Sequence, residues 1–226
     1  AIEVLDALVE SFTPIDIALS SYGIREGLLY EQMSKKLRKK DPLIEACAFA
    51  EMKDARAPGF GLQLFKFVLP LFPTADDEAA RLIKAACHLH DVSWRGHPDY
   101  RAEICFDNAT RANLGGLKHA ERVFLGLSLM HRYRNQRKGH KFENLFSLLS
   151  QEQMRMAEIL GKAMRLGAMM WVNKEETNAK LFWAPDAKAL QLVLEGDAVS
   201  LYGEVAEARL KSLARAMNAS FAFQAK

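Results

Sequence analysis

His90 and Asp91 stand side by side at the end of the run Ala85-Ala86-Cys87-His88-Leu89, and no other pair in the chain is better suited to chemistry. An imidazole and a carboxylate closing a small-residue, apolar helix could both face a divalent ion and activate water for attack on phosphorus. Trp94, Arg95, Gly96 and His97 follow directly. The competing reading is structural: the two side chains cap the helix end, bonding to each other and to nearby backbone. His88 lies two residues before His90, so on a helix the two diverge by about 200° and do not share one ligand set. It reads as a packed or surface histidine.

A second candidate is basic. His131, Arg132, Arg134, Arg137 and Lys138 crowd together, with His140 and Lys141 behind them. These cations are too dense for one helix face and would splay around a helix end. Several Lys and Arg contacts add up on a phosphate polyanion, and each releases counterions. A solvated loop is the alternative. The run from Lys35 to Lys40 reads as a solvated helix C-terminus favoured by the macrodipole. His119 and His140 read as exposed and receive no role.

These groups must be held by a core, and the composition allows one. Half of the 226 residues are hydrophobic, and 31 Lys and Arg against 28 Asp and Glu leave a formal charge of +3. That balance does not by itself call for nucleic acid. Cys47, Cys87 and Cys105 sit in apolar contexts without metal-ligand spacing, as buried free thiols in a reducing, cytoplasmic compartment would. No apolar run is long enough to span a bilayer and no signal peptide is visible. The chain opens without Met on Ile2, Leu5, Leu8 and Val9, so it is expected to be a C-terminal piece of a longer protein.

Periodicity predicts a helix to about residue 11, a strand over Ile15 to Leu19, and a turn or close approach bracketed by Gly23 and Gly27. A helix then runs into the first basic run. Asp41-Pro42 starts an Ala-rich helix to about Arg56. Leu62, Phe65, Leu69 and Phe72 mark an apolar stripe read as core, part of which could serve a dimer. The helix from Thr74 delivers the His-Asp pair. Further helices are expected at about 100–108, 117–134 and from Ser150 through the Met-rich run to Met170. Past Asn173 two strands, Leu181–Trp183 and Leu190–Leu194, precede an amphipathic helix over about 205–217 and a last strand near Ser220.

Ser21-Tyr22-Gly23-Ile24-Arg25-Glu26-Gly27-Leu28-Leu29-Tyr30, together with Leu89-His90-Asp91-Val92, His97 and Met130-His131-Arg132, resembles the Ppx/GppA phosphatases, the exopolyphosphatases and guanosine pentaphosphate phosphohydrolases. The first segment is similar to the one that closes the actin-like catalytic core of that family. The second is similar to its HD-like helical domain. The resemblance implies a mainly α, HD-domain-like body with a small α+β C-terminal domain. It divides the chain into 1–32, the end of an actin-like lobe; 33–174, the HD-like helical domain; and 175–226, the tail.

It also implies that the glycine loops, the catalytic acids and the Mg²⁺ site lie before Ala1, so that no catalytic residue is carried onto this chain. The parent activity would be hydrolysis of a terminal phosphoanhydride of polyphosphate or guanosine pentaphosphate. This chain would supply polyanion-binding surface at His131, Arg132, Arg134, Arg137 and Lys138, homodimer contacts and regulation. A working HD site adds an early His and a late Asp. The early position falls in the helix from Gly61 to Val68, which offers Gln63 and Lys66, and the late one falls at Ala168. With two of four ligands missing, His90 and Asp91 read as a vestigial metal pair, and no cofactor is expected in the fragment. A free-standing metal-dependent HD phosphohydrolase and a nucleic-acid-binding module built on Arg132 to Lys141 are the alternatives; neither nucleic acid nor a membrane is the expected partner.

Overall fold

The computed structural model of the chain describes residues 2–17, 22–135, 139, 141–171 and 178–226. It divides into two compact units, Ala1–Lys40 and Asp41–Lys226. The first holds α1 (Ile2–Phe12), α2 (Ile24–Gln32) and the single turn α3 (Lys35–Arg38). The strand expected at residues 15–19 is not formed by Ile15, Asp16 or Ile17, and Ala18 and Leu19 lie outside the described residues. Gly23 and Gly27 do not bracket a turn. Gly23 caps α2, its N–H donating to the Glu26 carboxylate at 2.7 Å, and Gly27 lies inside the helix.

The second unit is a helical body with a three-stranded sheet, matching the mainly α fold with a small α+β part. Its first helix, α4 (Pro42–Asp54), starts where Asp41 accepts from the Leu43 N–H at 2.9 Å and Pro42 takes the first position, which needs no donor. Then come α5 (Phe60–Val68), a 3-10 turn at Leu69–Leu71, α6 (Asp77–Leu89), α7 (Arg101–Arg111), α8 (His119–Tyr133), a 3-10 segment at Glu143–Leu148 and α9 (Gln151–Gly167). Ser150 caps α9 by accepting from Gln153. Helices α7, α8 and α9 pack in succession, while α6 lies against α4, α5 and α8.

The buried face of α5 is not the expected stripe. Leu62 is exposed and Phe65, Leu69 and Phe72 are half-buried, whereas Leu64, Phe67, Val68 and Leu71 are buried. Gly61 selects that face. A Cβ there would stand 2.8 Å from the His88 Cα and 2.9 Å from the Cys87 carbonyl oxygen, so α5 meets α6 backbone to backbone.

The tail elements are β1 (Ala179–Ala184), β2 (Ala189–Leu194), a 3-10 segment at Gly196–Leu201, α10 (Glu204–Met217) and β3 (Ser220–Ala225). β1 and β2 form an antiparallel hairpin pairing Trp183 with Leu190, and β3 joins the other edge of β2 in parallel, pairing Phe221 with Leu190. β2 is therefore central, and Leu190, Leu192, Val193 and Leu194 are buried. α10 lies on α9, and β1 meets the 3-10 turn at Leu69–Leu71, so body and tail share one core.

Candidate functional site

The C-terminal end of α6 is built from three helices. On α4, Leu43, Cys47 and Glu51 recur every fourth residue and are all buried, which places a carboxylate on the apolar face. Glu51 Oε2 lies 2.5 Å from His88 Nδ1, and Glu51 Oε1 accepts from the Gly61 N–H at 2.6 Å. One carboxylate thus joins α4, α5 and α6. His88 is a packed histidine, with a partner that its own neighbourhood in the sequence does not reveal.

Two residues on, His90 Nδ1 donates to the Cys87 carbonyl at 2.8 Å, and the Phe60 ring stands edge-on to the imidazole at 5.3 Å. Burial first, then the positive charge of Arg132, pushes His90 well below its ordinary value, to about 4. The imidazole is therefore neutral near pH 7, with Nε2 carrying the lone pair.

Asp91 is 3% exposed and faces two guanidinium groups. Arg56 Nε donates to Oδ2 at 2.8 Å and Arg56 Nη2 to Oδ1 at 2.6 Å, a bidentate pair completed by the Arg56 backbone N–H at 3.3 Å. Arg132 Nη2 approaches Oδ1 at 3.5 Å. Burial alone would raise the Asp91 carboxyl; the Arg56 bonds and the fields of Arg132 and His90 overcome it and hold the group below the usual carboxylate range. Tyr133 closes the arrangement, donating its hydroxyl to the His90 carbonyl at 3.2 Å beneath the Arg132 guanidinium, and burial pushes its phenol up to about 12. Trp94 Nε1 donates to the Asp54 carbonyl at 2.9 Å, fastening the turn after α6 to the end of α4.

These residues do not fit a divalent cation. Both Asp91 oxygens already face guanidinium hydrogens, and a carboxylate balanced by two arginines has little charge to offer a metal. Among the described residues, no three His, Cys, Asp or Glu side chains are grouped to hold an ion. The side chains of His90 and Asp91 are not bonded to each other. At the helix end His90 bonds nearby backbone, and Asp91 bonds Arg56, 35 residues away in the same chain.

The family model described as exopolyphosphatase, C-terminal, matches residues 43–223. The chain belongs to that family. No curated protein matches it closely enough to add to this.

In this exopolyphosphatase C-terminal chain the expected basic cluster is divided. His131 is buried, its Nδ1 3.3 Å from the Arg134 carbonyl, and Arg132 points inward to Asp91 instead of splaying into solvent. Arg134, the residue that ends α8, is half-buried. Arg137, Lys138 and His140 lie outside the described residues. His97 is exposed beside Asp99, at 3.6 Å, and is not part of the α6 terminus. Of the positions that would complete an HD ligand set, Gln63 lies on α5, Lys66 is exposed there and Ala168 follows α9.

Glu51 and Arg56 were not singled out from the sequence. The four-residue spacing of Leu43, Cys47 and Glu51 is the signal that could have found Glu51: an acid on an otherwise apolar face needs a buried partner. A cavity of about 490 Å³ opens beside the α6 terminus, lined by Leu89, Ser93, Cys105, Asn108 and Leu114 among others. Its Cys105 thiol is pushed up to about 11 by burial, so it is no nucleophile near neutral pH. Among the described residues no helix is long and apolar enough to cross a membrane.

Proposed function

We propose that this chain is the C-terminal region of a cytoplasmic exopolyphosphatase-type hydrolase that cleaves terminal phosphoanhydrides of polyphosphate or guanosine pentaphosphate. The family match over residues 43–223, helical body and tail together, carries the reading. In this proposal residues 1–32 are the end of an actin-like lobe, and the phosphate loops, catalytic acids and Mg²⁺ belong to lobes that precede it. The described helices contribute anion-binding surface, homodimer contacts and regulation. The engagement of Asp91 by Arg56 and Arg132, and of Glu51 by His88 and the Gly61 N–H, supports placing hydrolysis elsewhere, since neither carboxylate at the α6 terminus is left to orient a metal or a water.

Binding of long-chain polyphosphate by the 226-residue chain, compared with RNA of equal charge, tests the reading. Preferential binding of polyphosphate without phosphate release is the expected result. RNA binding as tight or tighter would replace it with a nucleic-acid-binding module, and release of phosphate by the isolated chain would place a catalytic site within it. Changing Arg134, Arg137 and Lys138 together to Ala is expected to weaken polyphosphate binding and to reduce its salt dependence; unchanged binding would remove those residues from the surface. Sedimentation of the same sample tests the dimer.

A further inference from the structure

Arg132, which shares the Asp91 carboxylate with Arg56, has no second carboxylate partner among the described residues. Arg132 is only 7% exposed, yet its Nε has no hydrogen-bond partner among the described residues. Leaving a buried guanidinium donor unmatched is costly unless a ligand completes it. Gly161 on α9 packs directly on this part of α8: a Cβ at Gly161 would fall 2.9 Å from the Arg132 backbone nitrogen. Arg165 lies one helical turn beyond Gly161, on the same face.

α9 and α10 run antiparallel, as two contacts show. Arg155 Nε donates to the Ala216 carbonyl at 3.1 Å, and Lys162 Nζ reaches the Ser212 carbonyl at 3.5 Å. Following that register up α9 and down α10 brings Arg165 abreast of Arg209. Burial, then repulsion from Arg209 and from Arg132, lowers Arg165 from the ordinary arginine value. Arg165 and Arg209 are each half-buried, and neither has a carboxylate partner among the described residues. The helices thus place Arg165 abreast of Arg209 and within the electrostatic field of Arg132, whose only carboxylate partner among the described residues is Asp91.

We propose that Arg132, Arg165 and Arg209, contributed by α8, α9 and α10, form a binding site for a phosphate group. Planar guanidinium forks suit tetrahedral oxyanions, and a dianion would both supply acceptors for Arg132 and offset the mutual repulsion of the three cations. The site would accept free pyrophosphate or the end of a phosphate chain. It draws on residues other than Arg134, Arg137 and Lys138, and it requires no hydrolysis.

Titration of the full chain with inorganic pyrophosphate, by calorimetry and by thermal melting, tests the site. Pyrophosphate is expected to raise the melting temperature of the wild type, and Arg165→Gln and Arg209→Gln are each expected to weaken its binding about tenfold or more. Without ligand, both variants should melt no lower than the wild type, because each removes a repelled charge. Arg165→Lys, which keeps the charge and loses the fork, should bind between wild type and Arg165→Gln.

The proposal falls if pyrophosphate leaves the wild-type melting temperature unchanged, or if both Gln variants bind it as the wild type does. It also falls if Arg165→Gln melts lower while Arg209→Gln binds normally, which would mark a structural arginine. Long-chain polyphosphate separates this site from the proposed function. Affinity for the long chain that is identical in wild type and both variants overturns the three-arginine site and leaves that function standing. Pyrophosphate binding lost in both variants, with no affinity of the wild type for the long chain, supports the site, restricts it to free pyrophosphate and overturns that function.

Discussion

Arg56 holds both carboxylate oxygens of Asp91, its Nε 2.8 Å from Oδ2 and its Nη2 2.6 Å from Oδ1. The two residues are 35 apart in the chain, and their pairing ties the segment leaving α4 to the end of α6. Asp91 also balances the buried Arg132, so its removal leaves an uncompensated cation inside the protein. Asp91→Ala is expected to destabilise the fold by about 3–5 kcal/mol. Arg56→Ala should cost about 1 kcal/mol, since the Arg56 side chain is 55% exposed and Arg132 remains as a partner. Urea denaturation of the two variants measures the difference, and equal losses would contradict this division of roles.

His90 gives the fold a sensitivity to mild acid. Burial, then Arg132, lowers its folded value to about 4, whereas an unfolded chain keeps an ordinary imidazole near 6.5. Between those values the unfolded state binds the extra proton, so stability is full above about pH 6.5 and declines as pH falls towards 4. The loss should approach 2–3 kcal/mol at about pH 4. Asp91, whose value is also lowered when folded, adds a further loss only below the ordinary carboxylate range. Denaturation midpoints between pH 7.5 and pH 4.5 should show the first decline in the wild type and a much flatter profile in His90→Gln.

Glu51 is expected to be as important to stability as any hydrophobic core residue. Its carboxylate serves both His88 and the Gly61 N–H, and Glu51→Ala strands both donors in the interior, at about 2–4 kcal/mol. Gly61→Ala should cost about 1–3 kcal/mol by forcing α5 away from the α6 backbone. Thermal melting of both variants provides the check; an Ala at position 61 that melts like the wild type would show that α5 and α6 can separate at no cost.

Divalent metal should have no purchase at the α6 terminus. Extensive treatment with a chelator is expected to leave the melting temperature of the chain unchanged, and added Mg²⁺ or Mn²⁺ should not raise it, because a folded-state ligand must shift melting in proportion to its occupancy. A chelator-induced drop that Asp91→Asn abolishes would show that the arginines yield to a metal.

Local signals made much of this architecture legible from the sequence. The Asp41-Pro42 start of α4 and the Ser150 cap of α9 both act within a few residues. So did the placement of His90 and Asp91 at a helix end. What remained hidden depends on separation along the chain. Nothing near Asp91 points to Arg56, and nothing near His88 points to Glu51. The buried face of α5 could not be chosen from hydrophobicity, because Phe65 and Leu69 compete equally with Leu64 and Val68. The glycine contact between helices decides it. Arg132 was hidden for a similar reason: a cation in a dense basic run looks solvent-facing until a buried carboxylate from α6 claims it. At Ile15 to Ile17 the strand preference of alternating β-branched residues finds no neighbouring strand among the described residues to pair with.

The parallel pairing of β2 with β3 sets a schedule for synthesis. The β1–β2 hairpin can close as soon as Leu194 emerges, but the second edge of β2 must wait until α10 and β3 have been made. During that interval an apolar central strand offers unpaired backbone to any passing chain. A ribosome stalled after α10 would therefore release a polypeptide with a complete helical body and an adhesive tail, so in a cell the final strand protects against self-association as well as completing the sheet.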